Sequence, residues 1–174
     1  LLTDNDDPEA NLNYGLARSA EGGHEKSKVW FEQAIDIAPS YAYAHQELGT
    51  QQLFAGNPEI AFEHSSAAVA LNPQSPVRFN IYRDMAIAKQ SMGDLEASVE
   101  WGCKAGQAPF DQVQNLVVGL CCNHIKGNTT TAESLAARIK GTFPDFAWEK
   151  VYGTSMMGDA GKGMVEAILA QYNI

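Results

Sequence analysis

No run of the 174 residues is apolar for long enough to cross a bilayer, so no transmembrane helix is expected. The opening stretch LLTDNDDPEANLN has neither the basic start nor the long apolar core of a signal peptide. The chain also lacks an initiator methionine, and it reads as a fragment or a processed chain. Basic residues are scarce: 12 Lys and Arg stand against 21 Asp and Glu, a formal net charge of −9. A nucleic-acid partner needs a basic stripe to neutralise phosphates, and an anionic membrane needs the same. Neither partner is expected, and the acidity is read as serving solubility. Cysteine is scarce too. Cys103, Cys121 and Cys122 are odd in number with two adjacent, which is no disulfide framework and suits a reducing compartment. A cytoplasmic location is the corresponding expectation. Period-two alternation is missing over any useful length, so strands are not supported.

What is present is a beat. Pro39, Pro73, Pro109 and Pro144 each close an apolar-periodic run, at intervals of 34, 36 and 35. A small residue keeps the same time at Ser27, Ala61, Ala97, Ala132 and Ala167. Gly15 and Gly49 lie 34 apart, as do Ala34 and Ala68. Phe31 and Trp101 share a bulky column that Ser65 and Ala136 break. Mid-unit breakers fall at Gly22-Gly23, Gly56-Asn57, Gly93-Asp94 and Gly127-Asn128.

Each unit makes local sense as two helices. In YAYAHQELGTQQLF, residues Ala44, Leu48 and Leu53 share a face, and Gly56 supplies the left-handed residue that helix ends favour. Asn57 is expected to cap the next helix, with Pro58 at its first position. That helix should turn Ile60, Ala61, Ala68 and Leu71 toward its neighbour and stop before Pro73. Thr130 and Glu133 have the spacing of a capping box. The pattern predicts ten helices in five antiparallel pairs: about 9–21 and 25–38, 42–55 and 58–71, 77–92 and 94–106, 111–126 and 130–140, 145–156 and 160–172. One pair cannot bury its apolar stripe alone, so the pairs should stack into an all-α solenoid. The expected core includes Leu48, Phe62, Leu71, Ile87, Trp101, Leu120, Leu135, Ile139 and Trp148.

On these residues the chain resembles the tetratricopeptide repeat family, whose unit of about 34 residues carries Leu-Gly, Ala, Phe, Ala and Pro at fixed places. The matching residues are Tyr14-Gly15, Phe31, Ala34 and Pro39, then Leu48-Gly49, Ala61, Ala68 and Pro73. Ala97, Trp101 and Pro109 follow, and then Ala132 and Pro144. The resemblance implies a single domain over 1–174, a right-handed α-solenoid of about five helix pairs. Its repeats would cover about 8–41, 42–75, 76–111 and 112–146, with a C-terminal capping pair at 147–174. The segment from ALNPQSPVRF to EWGCKA, stretched by two residues, is also similar to tetratricopeptide tails of bacterial multidomain regulators. In those proteins the repeats follow a nucleotide-cyclase or winged-helix domain.

The family resemblance further implies a peptide or protein bound on the concave face, lined by the first helix of each pair. In this chain that face would carry Asn13, Tyr43, Gln46, Glu47, Thr50, Phe79, Tyr82, Arg83, Lys89, Gln114, Val118, Cys121 and His124. Tyr43, Phe79, Tyr82 and Arg83 are the expected anchors, because Tyr, Trp and Arg dominate binding hot spots. One subtype of the family clamps the C-terminal carboxylate of a chaperone. Asn13 and Arg83 fall near its matching places, but Glu47 stands where an Asn is needed and would repel that carboxylate. Leu12 and Leu16 flank Asn13 where a basic residue belongs, so this ligand class is not expected.

Three local patterns suggest chemistry and fail on geometry. Cys121-Cys122-Asn123-His124 invites a metal, yet adjacent cysteines on a helix point about a hundred degrees apart, so small apolar core thiols are expected. Gly158-Asp159-Ala160-Gly161-Lys162-Gly163 lacks the spacing and the preceding strand of a phosphate loop. His64-Ser65-Ser66 has no nucleophile elbow, and the four histidines are scattered over separate helices. Asn128-Thr129-Thr130 is a glycosylation sequon that its place before a helix explains as capping. No cofactor, metal or catalytic residue is expected. The sequence reads as a protein-interaction module, a regulatory part of a larger bacterial signalling or transcription protein. A free-standing adaptor is the alternative, a small enzyme the third reading, and an exposed end of the stack could pair two copies into a homodimer.

Overall fold

The computed structural model describes residues 6–147 and 159–174. It contains helices α1 (Pro8–Ala20), α2 (His24–Ile37), α3 (Ala42–Phe54), α4 (Pro58–Leu71) and α5 (Arg78–Ser91). These are followed by α6 (Leu95–Ala105), α7 (Val113–Ile125), α8 (Thr129–Thr142) and α9 (Asp159–Gln171). There is no strand among the described residues. The expected helix over 145–156 lies outside the described residues from 148 onward, and so does Trp148. Its first residues, 145–147, are not helical.

The helices pair as α1 with α2, α3 with α4, α5 with α6 and α7 with α8, and each second helix packs on the next first helix. Helices α3, α5 and α7 also lie side by side and form the inner layer of the stack. Every hairpin closes in the same way. Gly22, Gly56, Gly93 and Gly127 all have φ between 73° and 80°, the left-handed region that glycine reaches without a Cβ clash. The residue after each glycine donates its amide N–H back to the helix: Gly23 to Arg18, Asn57 to Gln52, Asp94 to Lys89 and Asn128 to Asn123. Two orphan carbonyls are thereby satisfied at each turn.

The following N-termini differ from expectation. Asp94 caps α6 through Ala97 N–H at 3.2 Å, but Asn57 makes no side-chain cap bond and instead donates its amide to Gln52 Oε1 at 2.9 Å. The capping box at Thr130 and Glu133 does not form, because the N-cap of α8 is Asn128, two residues before Thr130.

The core holds most of the expected residues. Leu48, Ile87, Leu120, Leu135 and Ile139 are buried, while Phe62 and Trp101 are half-buried beneath Lys89 and Lys104. Ile60 and Leu71 are corrected: each is 43% exposed. The buried face of α4 runs through Ala61, Ser65 and Ala68, one step round from Ile60, and Leu71 is the last residue of the helix with no further turn to cover it.

The cysteines also depart from expectation. Cys103 of α6 and Cys122 of α7 form a disulfide, with Cα atoms 5.3 Å apart. That pairing overturns the expectation of unpaired thiols, on which the reducing-compartment reading rested. Cys121 points elsewhere, as helix geometry requires, and stays a free buried thiol that burial pushes up to about 12. At the same interface Gly106 and Gly119 let the backbones of α6 and α7 meet: a Cβ on Gly106 would stand 2.5 Å from the Gly119 Cα.

Candidate peptide-binding face

The four turn glycines supply a common register for the inner layer. Gly22 to Gly56 and Gly93 to Gly127 are intervals of 34, whereas Gly56 to Gly93 is 37. The extra residues sit in the connection before α5. Nine residues before the glycines stand Asn13, Glu47, Asp84 and Val118; ten before stand Leu12, Gln46, Arg83 and Val117. Six before stand Leu16, Thr50, Ile87 and Cys121. Asp84, and not Arg83, is therefore the counterpart of Glu47. Proline spacing alone measured this unit as 36 and placed α5 one residue out.

On this register α3 and α5 share a polar patch. Thr50 Oγ1 donates to Asp84 Oδ2 at 2.8 Å, across the two repeats. Arg83 donates through Nε and NH2 to Asp84 Oδ1, at 2.8 and 2.6 Å. Asp84 is 3% exposed, and a carboxylate so buried is stable only with such charge-assisted partners. Gln46 Nε2 donates to Glu47 Oε1 at 3.2 Å. Burial, and next the Asp84 charge, push Glu47 up to about 7, with Gln46 and Arg83 opposing. Tyr43 is 42% exposed, and burial of its ring followed by the Glu47 charge raises its hydroxyl above the usual value. Tyr43 and Gln46 border a cleft of about 380 Å³ whose floor includes Ala68, Val77 and Ile81.

The other expected residues lie elsewhere. Phe79 is 8% exposed, edge-on to Phe110 and Tyr82, and Tyr82 packs on Trp101 of α6 at 5.5 Å. Tyr82 thus fills the joint between α5 and its partner helix, and Phe79 packs against the connection from α6 to α7, which the one-residue register difference explains. Lys89 pairs with Asp94 at 3.1 Å and lies over the Phe62 ring. Asn13 is exposed on α1, one repeat away from Glu47. Val118 packs against Gly102 of α6, and His124 Nδ1 meets the hydroxyl of Tyr172, the residue after α9, at 3.0 Å. Gln114 is half-buried on α7. Next to it, Asn115 is fully buried and donates to Asn80 Oδ1 at 2.9 Å, linking α7 to α5.

Two features escaped sequence reasoning. Asp84 was legible only through the glycine interval. The histidines are not all scattered: His45 and His64 Nδ1 atoms stand 3.0 Å apart, and His45 Nε2 meets the Pro39 carbonyl at 3.0 Å. With Nε2–H donating to Pro39, His45 Nδ1 accepts from His64, so one proton serves the pair. Burial, and next the His45 charge, lower His64.

No protein-family model matches the sequence, and no curated protein sequence matches it. Solved structures do. The pilF protein of Pseudomonas aeruginosa superposes with a TM-score of 0.70 at 18% identity, over 82% of this chain. This chain spans 64% of that one. MamA from Desulfovibrio magneticus RS-1 gives 0.64 at 20% identity, covering 82% of this chain and 79% of its own. YrrB, described as a TPR protein with an unusual peptide-binding site, gives 0.66 at 13% identity over 81% of this chain and 71% of its own. The chain has the tetratricopeptide-repeat fold.

Proposed function

We propose that the chain is a protein-interaction module, not an enzyme, and that its inner layer at α3 and α5 holds an extended segment of a partner protein. The observation that carries this reading is the polar patch of Gln46, Glu47, Thr50, Arg83 and Asp84 beside the cleft bordered by Tyr43. Asp84 fixes both Arg83 and Thr50, so the patch is preorganised beside the cleft where a backbone would lie across the two helices. Tyr43 supplies an exposed aromatic contact at the edge. Such a module suits the regulatory segment of a larger bacterial signalling or transcription protein; a free-standing adaptor would use the same face. The full-length gene product separates the two.

A displayed peptide library panned on the protein tests the binding reading. Enriched peptides should bind the Tyr43→Ala and Thr50→Lys variants at least tenfold more weakly, a difference of about 1.4 kcal/mol. An unenriched library, or equal affinity for both variants and the natural chain, would overturn it.

A further inference from the structure

The inner layer changes character along the stack. Where α3 and α5 present Gln46, Thr50 and Arg83, the positions six and ten before the next glycines hold Ile87, Cys121 and Val117. All three are buried, in a core cluster that α9 shares with neighbouring helices, and Met164 and Val165 of α9 stand beside them. Val165, Ile168 and Leu169 of α9 are 3%, 5% and 2% exposed and join Ile87, Val117 and Cys121 in one cluster. Gly161 lies against Gln90 of α5, where a Cβ would stand 2.9 Å from the Gln90 Cδ. At the far end Tyr172 bonds His124 of α7. A helix that merely continued the stack would pack on α7 and α8. This one reaches α5, so it lies across the inner face.

Its apolar residues Met164, Val165, Ile168 and Leu169, with Tyr172 just past its end, recur at i, i+1, i+4, i+5 and i+8, one stripe of a helix. Glu166, Ala167, Ala170 and Gln171 remain exposed on the other side. The fit is imperfect: a void of about 30 Å³ remains among Ile87, Val117, Cys121, Met164 and Val165. A 13-residue helix is marginal in water by itself, so its helicity depends on this seat.

We propose that the apolar half of the inner face, on α5 and α7, is an acceptor for an amphipathic helix, and that α9 is its built-in occupant. A partner helix with large apolar residues at i, i+1, i+4, i+5 and i+8 displaces α9 and takes its place. Covalent attachment makes the seating of α9 intramolecular, and its effective concentration sets the threshold a partner must exceed.

The test uses the full chain and a labelled peptide of residues 159–174, read by fluorescence anisotropy. The Ile168→Asp/Leu169→Asp chain, with α9 unseated, should bind the peptide at least tenfold more tightly than the natural chain. A peptide carrying the same two Asp substitutions should not bind. A variant that keeps its helical circular dichroism yet gains no affinity, or binds both peptides alike, overturns the proposal. Hydrogen exchange on the natural chain covers the case of a variant that fails to fold. Amides of α9 should exchange at least tenfold faster than those of α7, and joint exchange would make α9 an inseparable part of the core. Failure here leaves the α3–α5 reading standing, because Tyr43→Ala and Thr50→Lys report on that face alone.

Discussion

Glu47 shows how one residue acquires a property its type does not predict. Isolated, its carboxyl titrates near 4.5; in the fold, burial and the neighbouring Asp84 move it to about 7. Because the folded value is raised, the protonated form is favoured in the native state. The associated stability is complete below about pH 4.5 and is lost as pH rises through about 7. The shift corresponds to on the order of 3 kcal/mol. Glu47→Gln should therefore melt several degrees higher than the natural chain at pH 8, with the gap closing by pH 5; parallel melts at the two pH values check it. His64 works in the opposite direction. Its depressed folded value keeps its stability above the ordinary 6.5 and loses it as pH falls through that lower value. Replacing His64 by Gln should reduce the acid sensitivity of the melt. The sequence displays Glu47 and His64 openly, but Asp84 and His45 lie 37 and 19 positions away, and only packing puts them alongside.

At the scale of the element, the hairpin turns are the most legible part of the chain. A glycine followed by a polar or small residue, at nearly constant interval, announces a left-handed helix end, and all four take that form. Ala at Gly56 or at Gly93 should cost about 1–2 kcal/mol each, since both have a left-handed φ, 77° and 80°, and no neighbour near the missing Cβ. Chemical denaturation of the two variants should give matching losses. The α6–α7 joint depends on a different property of glycine. Gly119→Ala forces a methyl into the Gly106 backbone, and a loss of about 1–3 kcal/mol is expected from overpacking. Helix starts were less legible than helix ends. Asn57 serves as the last residue of one turn and the first of the next, and its side chain went to Gln52.

For the whole molecule, the Cys103–Cys122 disulfide ties the third repeat to the fourth across 19 positions of chain. Closing a loop of that size in the unfolded state contributes about 3 kcal/mol. Reductant should lower the melting temperature, and a Cys103→Ser/Cys122→Ser chain should melt at one temperature with or without it. Without reductant, thiol titration should find a single group, Cys121, and only after denaturation.

The sequence by itself determined the repeat, its length, the helical pairs and the small residues that let them stack. Those properties depend on neighbours a few positions apart, and a period of about 34 writes them out four times. Only the tertiary structure decided which residues share the inner face. This unit is three residues longer than its neighbours, one more than the proline spacing indicates, and that one position moves Asp84 inward and turns Tyr82 toward α6 and Phe79 toward Phe110. The cysteine pairing and the seat of α9 were likewise decided there, since both join repeats whose side chains carry no local mark of each other.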